Sequence, residues 1–431
     1  MSRKILLINP WIYDFAAFNF WIKPLGLLKV AEHLSTFDVE LSLIDCTDSF
    51  EVKRYGIGRF KTKQVEKPGI LKDIPRFYKR YGISISQFVE RLKAIPPVDA
   101  VMLTCVMSYW YPGIQKTVEI IREILGNVPV VLGGIYATLY EEHARENSGA
   151  DFIYKGKTDR INSALYDLGI KIGTKRKRVP YYKLNLYNEY PFAPLLTSEG
   201  CPFGCSYCAS GLLTDKYHRF PHGEILKEIE GLFKIGVRDI AFYDDALLFD
   251  SENHIKPILK GLIEEGFNVR FHCPNGLNAR FINEETAALM KQANFKTIRL
   301  GLETVDSERQ KATGGKVNNK DMERAVRFLK KEGFSKKEIG VYIMYGLPGL
   351  DIKELKNSIN FLKSLDVRIH LTEFSPIRGT RSWDELVLMG LINDNLDPLL
   401  TNNTVFSYLY SGYDADEISR IKINVKEFNA K

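Results

Sequence analysis

The sequence has no apolar run approaching the ~18 to 20 uninterrupted residues that a bilayer-spanning helix needs, so no transmembrane helix is expected. A secretory leader is not expected either. The opening MSRKILLINP places two basic residues before an apolar run, but that run is only ILLI before Asn9 and Pro10, and it reads as a first buried strand. Cysteine is scarce, six in 431 residues, too few for a disulfide scaffold. Excess charge is small: 60 basic against 53 acidic residues, a net of +7. A nucleic-acid-binding domain usually shows a basic face or stripe. The only dense basic run here is KIGTKRKRVP at 171–180, read as a solvated linker, so no nucleic-acid partner is expected. The dinucleotide fingerprint GxGxxG is absent after the first strand, which argues against a nicotinamide cofactor there. Hydrophobic residues make up 45% and charged residues 26%, the balance of a globular chain with room for two or three domains of roughly 150 residues.

Residues 1–170 alternate mostly apolar strands with amphipathic helices. KILLINP (4–10), VELSLIDC (39–46), DAVMLTC (99–105), VPVVLGG (128–134) and ADFIYKG (150–156) read as strands; PLGLLKVAEHL (24–34) and GIQKTVEIIREIL (113–125) read as helices. The pattern predicts an α/β fold, a doubly wound, Rossmann-like parallel sheet. Ligands of such sheets bind beyond the C-terminal strand ends, which selects Asn9, Cys46, Thr104, Ser108, Gly133 and Gly134. Residues 47–96 break the alternation, with basic residues, tyrosines, Pro68, Pro75 and a helix near 85–95; they read as an insertion at the sheet edge that could cover the ligand face.

The most specific feature is SEGCPFGCSYCAS (198–210), where Cys201, Cys205 and Cys208 are separated by three and then two residues. Thiolates this close can wrap one face of an iron–sulfur cluster. Zinc competes, although zinc motifs normally bring a second CxxC-type pair, and none exists here. Three thiolates on a four-iron cluster leave one iron free to bind a substrate. Cys46, Cys105 and Cys273 stand alone and read as small buried hydrophobes. Such clustering without a leader points to a reducing, cytoplasmic location. Downstream, strands recur at 193–200, 239–249, 268–276, 297–304, 339–349 and 368–376 with helices between them. Six β–α units predict a partial (β/α)6 TIM-like barrel over 193–380, with its chemistry at the C-terminal rim. Residues 171–192 are assigned to a basic linker, and 381–431 to a tail packing on the barrel.

CPFGCSYC resembles the CxxxCxΦC signature of the radical S-adenosylmethionine (radical SAM) enzymes, with Tyr207 as the aromatic before the third cysteine. With LLINP, LGLLKVAEHL, VVLGGIYAT and GADFIYKG ahead of it, the chain is similar to the class that carries an N-terminal cobalamin-binding domain. The resemblance implies a 4Fe-4S cluster on Cys201, Cys205 and Cys208. It also implies S-adenosylmethionine contacts at Phe203, Tyr207, Asp244, Asp245, Asn275, Glu303, Gly346 and Arg378, and cobalamin contacts at Thr104, Ser108, Gly133 and Gly134. Two departures stand out. YDD replaces the family's GGE, and the first strand is not followed by DxHxxG, which excludes a cobalt-ligating histidine from that motif. The implied activity is reductive cleavage of S-adenosylmethionine to a 5′-deoxyadenosyl radical that abstracts hydrogen from an unactivated carbon, with methyl transfer when cobalamin takes part. A one-electron reductant such as flavodoxin or ferredoxin and a small-molecule or peptide substrate would be its partners. The alternatives are a cobalamin-free rearrangement or oxidation, or a non-catalytic iron–sulfur or zinc protein that binds a partner. For Glu303 a buried pair with Arg280 or Arg299 is the structural alternative.

Overall fold

The computed structural model describes residues 2–173, 176–347 and 349–431. Thr174 and Lys175 of the basic run, and Pro348 of the GLPG turn at 346–349, lie outside the described residues. The chain divides into two units, Met1–Tyr190 and Pro191–Lys431.

The first unit is built on five parallel strands: β1 (Arg3–Asn9), β2 (Val39–Asp45), β3 (Ala100–Cys105), β4 (Val130–Gly134) and β5 (Phe152–Ile153), in the order β5-β4-β3-β1-β2. β1 and β3 are central and covered on both faces, which is why Ile5–Ile8 and Ala100–Leu103 are almost wholly apolar and buried. The edge strand β2 alternates in sequence over Val39–Leu43 and is only partly covered until its last two residues, Ile44 and Asp45, which are buried. Helices α1 (Leu25–Leu34), α2 (Ile85–Ala94) and α3 (Tyr111–Leu125) accompany the sheet, and α2 starts on a Ser84/Gln87 capping box. The strand order reverses between β1 and β3, so their C-terminal ends form the crevice where doubly wound sheets take ligands.

Within 47–96 the chain forms short antiparallel pieces. Thr62–Gln64 and Ile12–Asp14 flank Lys79–Tyr81, and Phe50–Val52 pairs with Gly58–Phe60. Ile12, Phe60 and Tyr81 make a small core of their own. The Trp11 ring packs tilted against Phe88 of α2, centroids 4.7 Å apart, and donates its indole N–H to Ile83 O at 2.7 Å, tying the insertion to the sheet.

Arg176, Lys177 and Arg178 of the basic run are solvent-exposed, and the two arginines also have acidic partners. Arg176 pairs with Asp38, and Arg178 donates to Glu32 at 2.7 Å. Glu32 is a buried carboxylate that also accepts from Tyr181 N. A buried carboxylate needs such partners, and this requirement fastens residues 176–181 to α1.

The second unit carries six parallel strands in sequential order: β6 (Ala193–Leu195), β7 (Asp239–Phe242), β8 (Arg270–His272), β9 (Phe295–Glu303), β10 (Ile339–Tyr345) and β11 (Arg368–Glu373). Helices α4 (His222–Lys234), α5 (Ile255–Glu265), α6 (Glu284–Gln292), α7 (Asn319–Lys331) and α8 (Ile352–Ser364) alternate with them. The two units are thus the Rossmann-like sheet and the partial (β/α)6 barrel that the sequence predicts. The tail adds α9 (Arg381–Leu388) and α10 (Ala415–Ala430). α10 lies along the edge strand β11, where the Asn429 side chain accepts from Ile369 N at 2.9 Å and donates to Ile369 O at 2.8 Å. One amide side chain thus occupies both backbone groups of Ile369 on the edge strand. Among the described residues no helix is long and apolar enough to cross a membrane.

Candidate active site

Cys201, Cys205 and Cys208 follow β6 at the C-terminal rim of the barrel sheet; Cys208 is exposed and the other two are half-buried. Three neighbours shape their loop. Gly314 packs so closely that a Cβ there would lie 3.0 Å from Gly204 O and 3.1 Å from Cys205 Cα, and Ser206 N donates to Thr313 O. From the tail, Ser382 N donates to Ser206 O at 2.9 Å and the two serine hydroxyls meet at 3.0 Å. From the rim, the buried Asp244 accepts from Thr197 N (2.9 Å), Thr197 Oγ1 (2.6 Å) and Ser198 Oγ (2.7 Å), clamping the stem that leads into the cysteines.

These contacts revise the expected roles. Asp244 holds the loop stem, and burial pushes its carboxyl up to about 6 despite those three bonds. Its neighbour Asp245 is exposed, hydrogen-bonds Ser210, and feels Lys316. Asn275 donates to Tyr243 O at 2.9 Å and braces the end of β7. The Phe203 ring packs against Phe249 and Phe281, with centroids 5.8 and 6.0 Å away, while its backbone N–H donates to the Cys201 sulfur. Arg378 pairs with Asp394 at 3.3 Å. Gly346 follows β10 with φ +84°, a conformation that favours glycine.

Glu303 pairs with neither arginine weighed for it. Arg280 bonds Gly315 O and approaches Asp321, and Arg299 bonds backbone carbonyls. Instead Glu303 ends β9 at a bulge, with φ +66°, and meets Lys316 over Gly301. A methyl placed on Gly301 would lie 3.1 Å from Glu303 Oε1 and 3.3 Å from Lys316 Nζ. The Tyr207 hydroxyl bonds both Glu303 and Cys205, and burial beside these groups raises its pKa. Burial also raises Glu303 and the Cys201 and Cys205 thiols, against the pull of Lys316. Lys316 is therefore a cation facing two thiols and two carboxylates. The sequence reading missed it; the signal was the ATGGK turn, whose paired glycines (φ +119° and +61°) swing this lysine onto the rim.

Among the described residues, no three His, Cys, Asp or Glu side chains converge on a single metal ion. The donor chemistry fits an iron–sulfur cluster: three soft ligands in one loop, a nearby cation that favours thiolate, and polar groups beside them to receive a further ligand. Cys46, Cys105 and Cys273 are buried.

In the first unit Thr104, Gly133 and Gly134 line a cleft of about 160 Å³, together with Gly26, Leu27 and Tyr154. Gly134 (φ +91°) is required there, because a Cβ would sit 2.8 Å from both Cys105 O and Thr104 Oγ1. Ser108, expected beside them, is buried in the turn Ser108–Trp110 and lines neither this cleft nor the smaller cavity at Asn9. Asn9 itself donates to Asp45, which also accepts from Tyr187 OH at 2.6 Å. The cleft fits a group laid against glycine backbone at the strand ends.

Comparison with known proteins assigns a family match to each unit. The Radical SAM superfamily matches residues 195–362 and the B12 binding domain matches residues 78–165. An uncharacterized methyltransferase of Pyrococcus horikoshii is 26% identical over 346 residues, 72% of this chain and 74% of the relative. The hopanoid C-2 methylase of Rhodopseudomonas palustris is 27% identical over 246 residues, 53% of this chain and 45% of the relative, so the chain spans less than half of that protein. Among solved structures, the radical S-adenosylmethionine methyltransferase TsrM from Kitasatospora setae, with cobalamin and an iron–sulfur cluster bound, superposes with TM-score 0.66 at 16% identity. That match covers 90% of this chain and 75% of TsrM. The cobalamin-dependent S-adenosylmethionine radical enzyme OxsB gives TM-score 0.58 at 13% identity, covering 99% of this chain and 61% of OxsB.

Proposed function

Since the chain is a radical SAM enzyme with a B12-binding domain, we propose that it is a cobalamin-dependent methyltransferase acting on an unactivated carbon of a small-molecule or peptide substrate. The observation that carries this reading is the presence, in one chain, of a three-thiol loop on a barrel rim and a glycine-lined cleft on a doubly wound sheet. The methyltransferase and methylase relatives support it.

A 4Fe-4S cluster supplies the electron that cleaves S-adenosylmethionine to methionine and a 5′-deoxyadenosyl radical, and cobalamin supplies a methyl carrier. Everything else falls to the protein. Cys201, Cys205 and Cys208 hold the cluster. Lys316 neutralises thiolate charge and faces the incoming carboxylate of the methionine moiety. Asp245 and Glu303 receive its ammonium group; of the two adjacent acids expected there, Asp244 is turned to the loop stem. Tyr207 ties Glu303 to the cysteine loop. The Phe203–Phe249–Phe281 cluster keeps water from the Cys201 side. Gly346 leaves room for backbone to approach the adenine, and Arg378 remains a rim contact. In the other unit Thr104, Gly133 and Gly134 take the corrinoid.

Anaerobic reconstitution, dithionite and S-adenosylmethionine test the reading. 5′-Deoxyadenosine together with methylated product is the expected outcome. S-adenosylhomocysteine alone would retain methyl transfer and remove hydrogen abstraction. Neither product, with the cluster intact, would overturn the assignment. Protein from cobalamin-fed cells should carry corrinoid absorbance, and its absence removes the cobalamin part.

A further inference from the structure

Three basic side chains in the second unit have no acid to balance them. Arg299 of β9 donates only to the backbone carbonyls of Ile298 (3.0 Å) and Glu338 (3.4 Å) and meets the Tyr342 hydroxyl. Arg368 and His370 lie two strands away on β11, in register with Gly340 and Tyr342 of β10. Gly340 leaves the space in which they gather: a Cβ there would sit 2.6 Å from His370 Nε2 and 2.9 Å from Arg299 Cδ. Arg299 and Gly301, two apart on β9, share a face of the sheet, so this basic group lies on the Glu303–Lys316 side of the barrel, deeper than the cysteine rim.

Nothing within the described residues offsets these charges. Arg368 Nε and His370 Nε2 are buried with no hydrogen-bond partner. Burial and the two arginines hold His370 far below the usual imidazole range, at about 3, so it stays neutral and the uncompensated charges are those of Arg299 and Arg368. The strand-end carboxylate Glu373 is already engaged by Lys422, Tyr345 and Thr404, and Glu338 is engaged by Ser335. Arg368 also opens onto a groove of about 440 Å³ along the β11 edge, lined by Leu371, Val425, Asn429 and two more cations, Lys422 and Lys426 of α10. A half-buried arginine whose buried Nε–H has no partner, beside an open groove, is a poor way to stabilise a protein and a good way to bind an anion.

We propose that this groove, with Arg368 and Lys426 at its walls and Arg299 and His370 behind it, is a second ligand site that takes the carboxylate or phosphate group of a small molecule. It is distinct from the sites for cluster, S-adenosylmethionine and corrinoid, and it stands whether or not methyl transfer is the reaction.

Calorimetric titration of the full-length, cluster-loaded protein tests this, with inorganic phosphate in one arm and succinate in the other at constant ionic strength. At least one of them should bind saturably at one per chain, and which one does identifies the anion class. R368A should abolish binding, R368K should retain part of it, and K426A should weaken it about tenfold, the loss of one charged contact. K155A, in the other unit, should bind as the parent does. If neither anion binds, or if binding survives R368A, the site does not exist. Should R368A fail to fold, K426A decides, because Lys426 is exposed on α10 and its loss leaves the core untouched.

Discussion

Asp244 carries one side chain's worth of conflict. Its Oδ1 accepts three hydrogen bonds, whereas its Oδ2 is buried with none. The folded carboxyl titrates near 6, above its ordinary 3.8, so ionisation works against the fold. The stability is fully present below the unfolded value and is lost as pH rises from about 4 through 6, by roughly 3 kcal/mol at most. D244N keeps an acceptor for all three bonds and removes the buried charge. In urea unfolding it should therefore gain on the parent between pH 4 and pH 7, with no further gain above. D244A should be destabilised at every pH by about 2 kcal/mol or more, since three donors lose their acceptor. Lys316 gives a contrasting prediction. K316M preserves the stem's length without the charge; it should weaken S-adenosylmethionine binding about tenfold in equilibrium dialysis while iron content stays near that of the parent. Glu303 sits opposite in a left-handed conformation rarely taken by residues with a side chain, at a cost of about 1–3 kcal/mol. Such strain at a rim position matches a carboxylate held in place for a ligand.

At the scale of elements, the strands were legible because buried parallel strands are short apolar runs, and the sequence has eleven of them. Their ends were not. DIAFYDDALLF reads as one strand over 239–249, yet β7 stops at Phe242, because Asp244 turns to bond the β6–cysteine connection. ADFIYKG reads as a strand, but only Phe152–Ile153 pair with β4. The three cysteines were legible from spacing alone. Lys316 was not, since no periodicity marks a loop and its role depends on Gly314 fitting against Gly204. Nor was the fastening of Arg176 and Arg178 to α1, since a solvated basic run carries no sign that a buried carboxylate such as Glu32 faces it. The β11 edge yields a further prediction. N429A removes two hydrogen bonds to Ile369 and should cost about 1–3 kcal/mol in urea unfolding. It should also promote concentration-dependent association, visible by light scattering, because the edge backbone becomes free to pair with another chain.

For the whole molecule, each unit keeps its candidate ligand groups at C-terminal strand ends: the glycine-lined cleft at β3 and β4 in one, one strand over from the order reversal between β1 and β3, and the three-thiol rim in the other. The two chemistries can accordingly be separated by mutation. G134A forces a Cβ to within 2.8 Å of Cys105 O and Thr104 Oγ1 and strains a φ of +91°. It should lower corrinoid content per chain, read by visible absorbance, while iron content and reductive S-adenosylmethionine cleavage persist. C201A, C205A or C208A should do the reverse, losing iron and retaining corrinoid.

The Asn429 latch also bears on the order of assembly. The six barrel strands pair in chain order, each with the strand before it, so the sheet can grow stepwise as segments become available. Closure of its last edge waits for a residue 60 positions beyond Ile369. Between those events the growing sheet carries a sticky, unpaired margin, and the lifetime of that intermediate depends on how fast one helix docks. Refolding yield, more than final stability, should then depend on temperature and protein concentration, with the slow, aggregation-prone step assigned to α10 rather than to any strand.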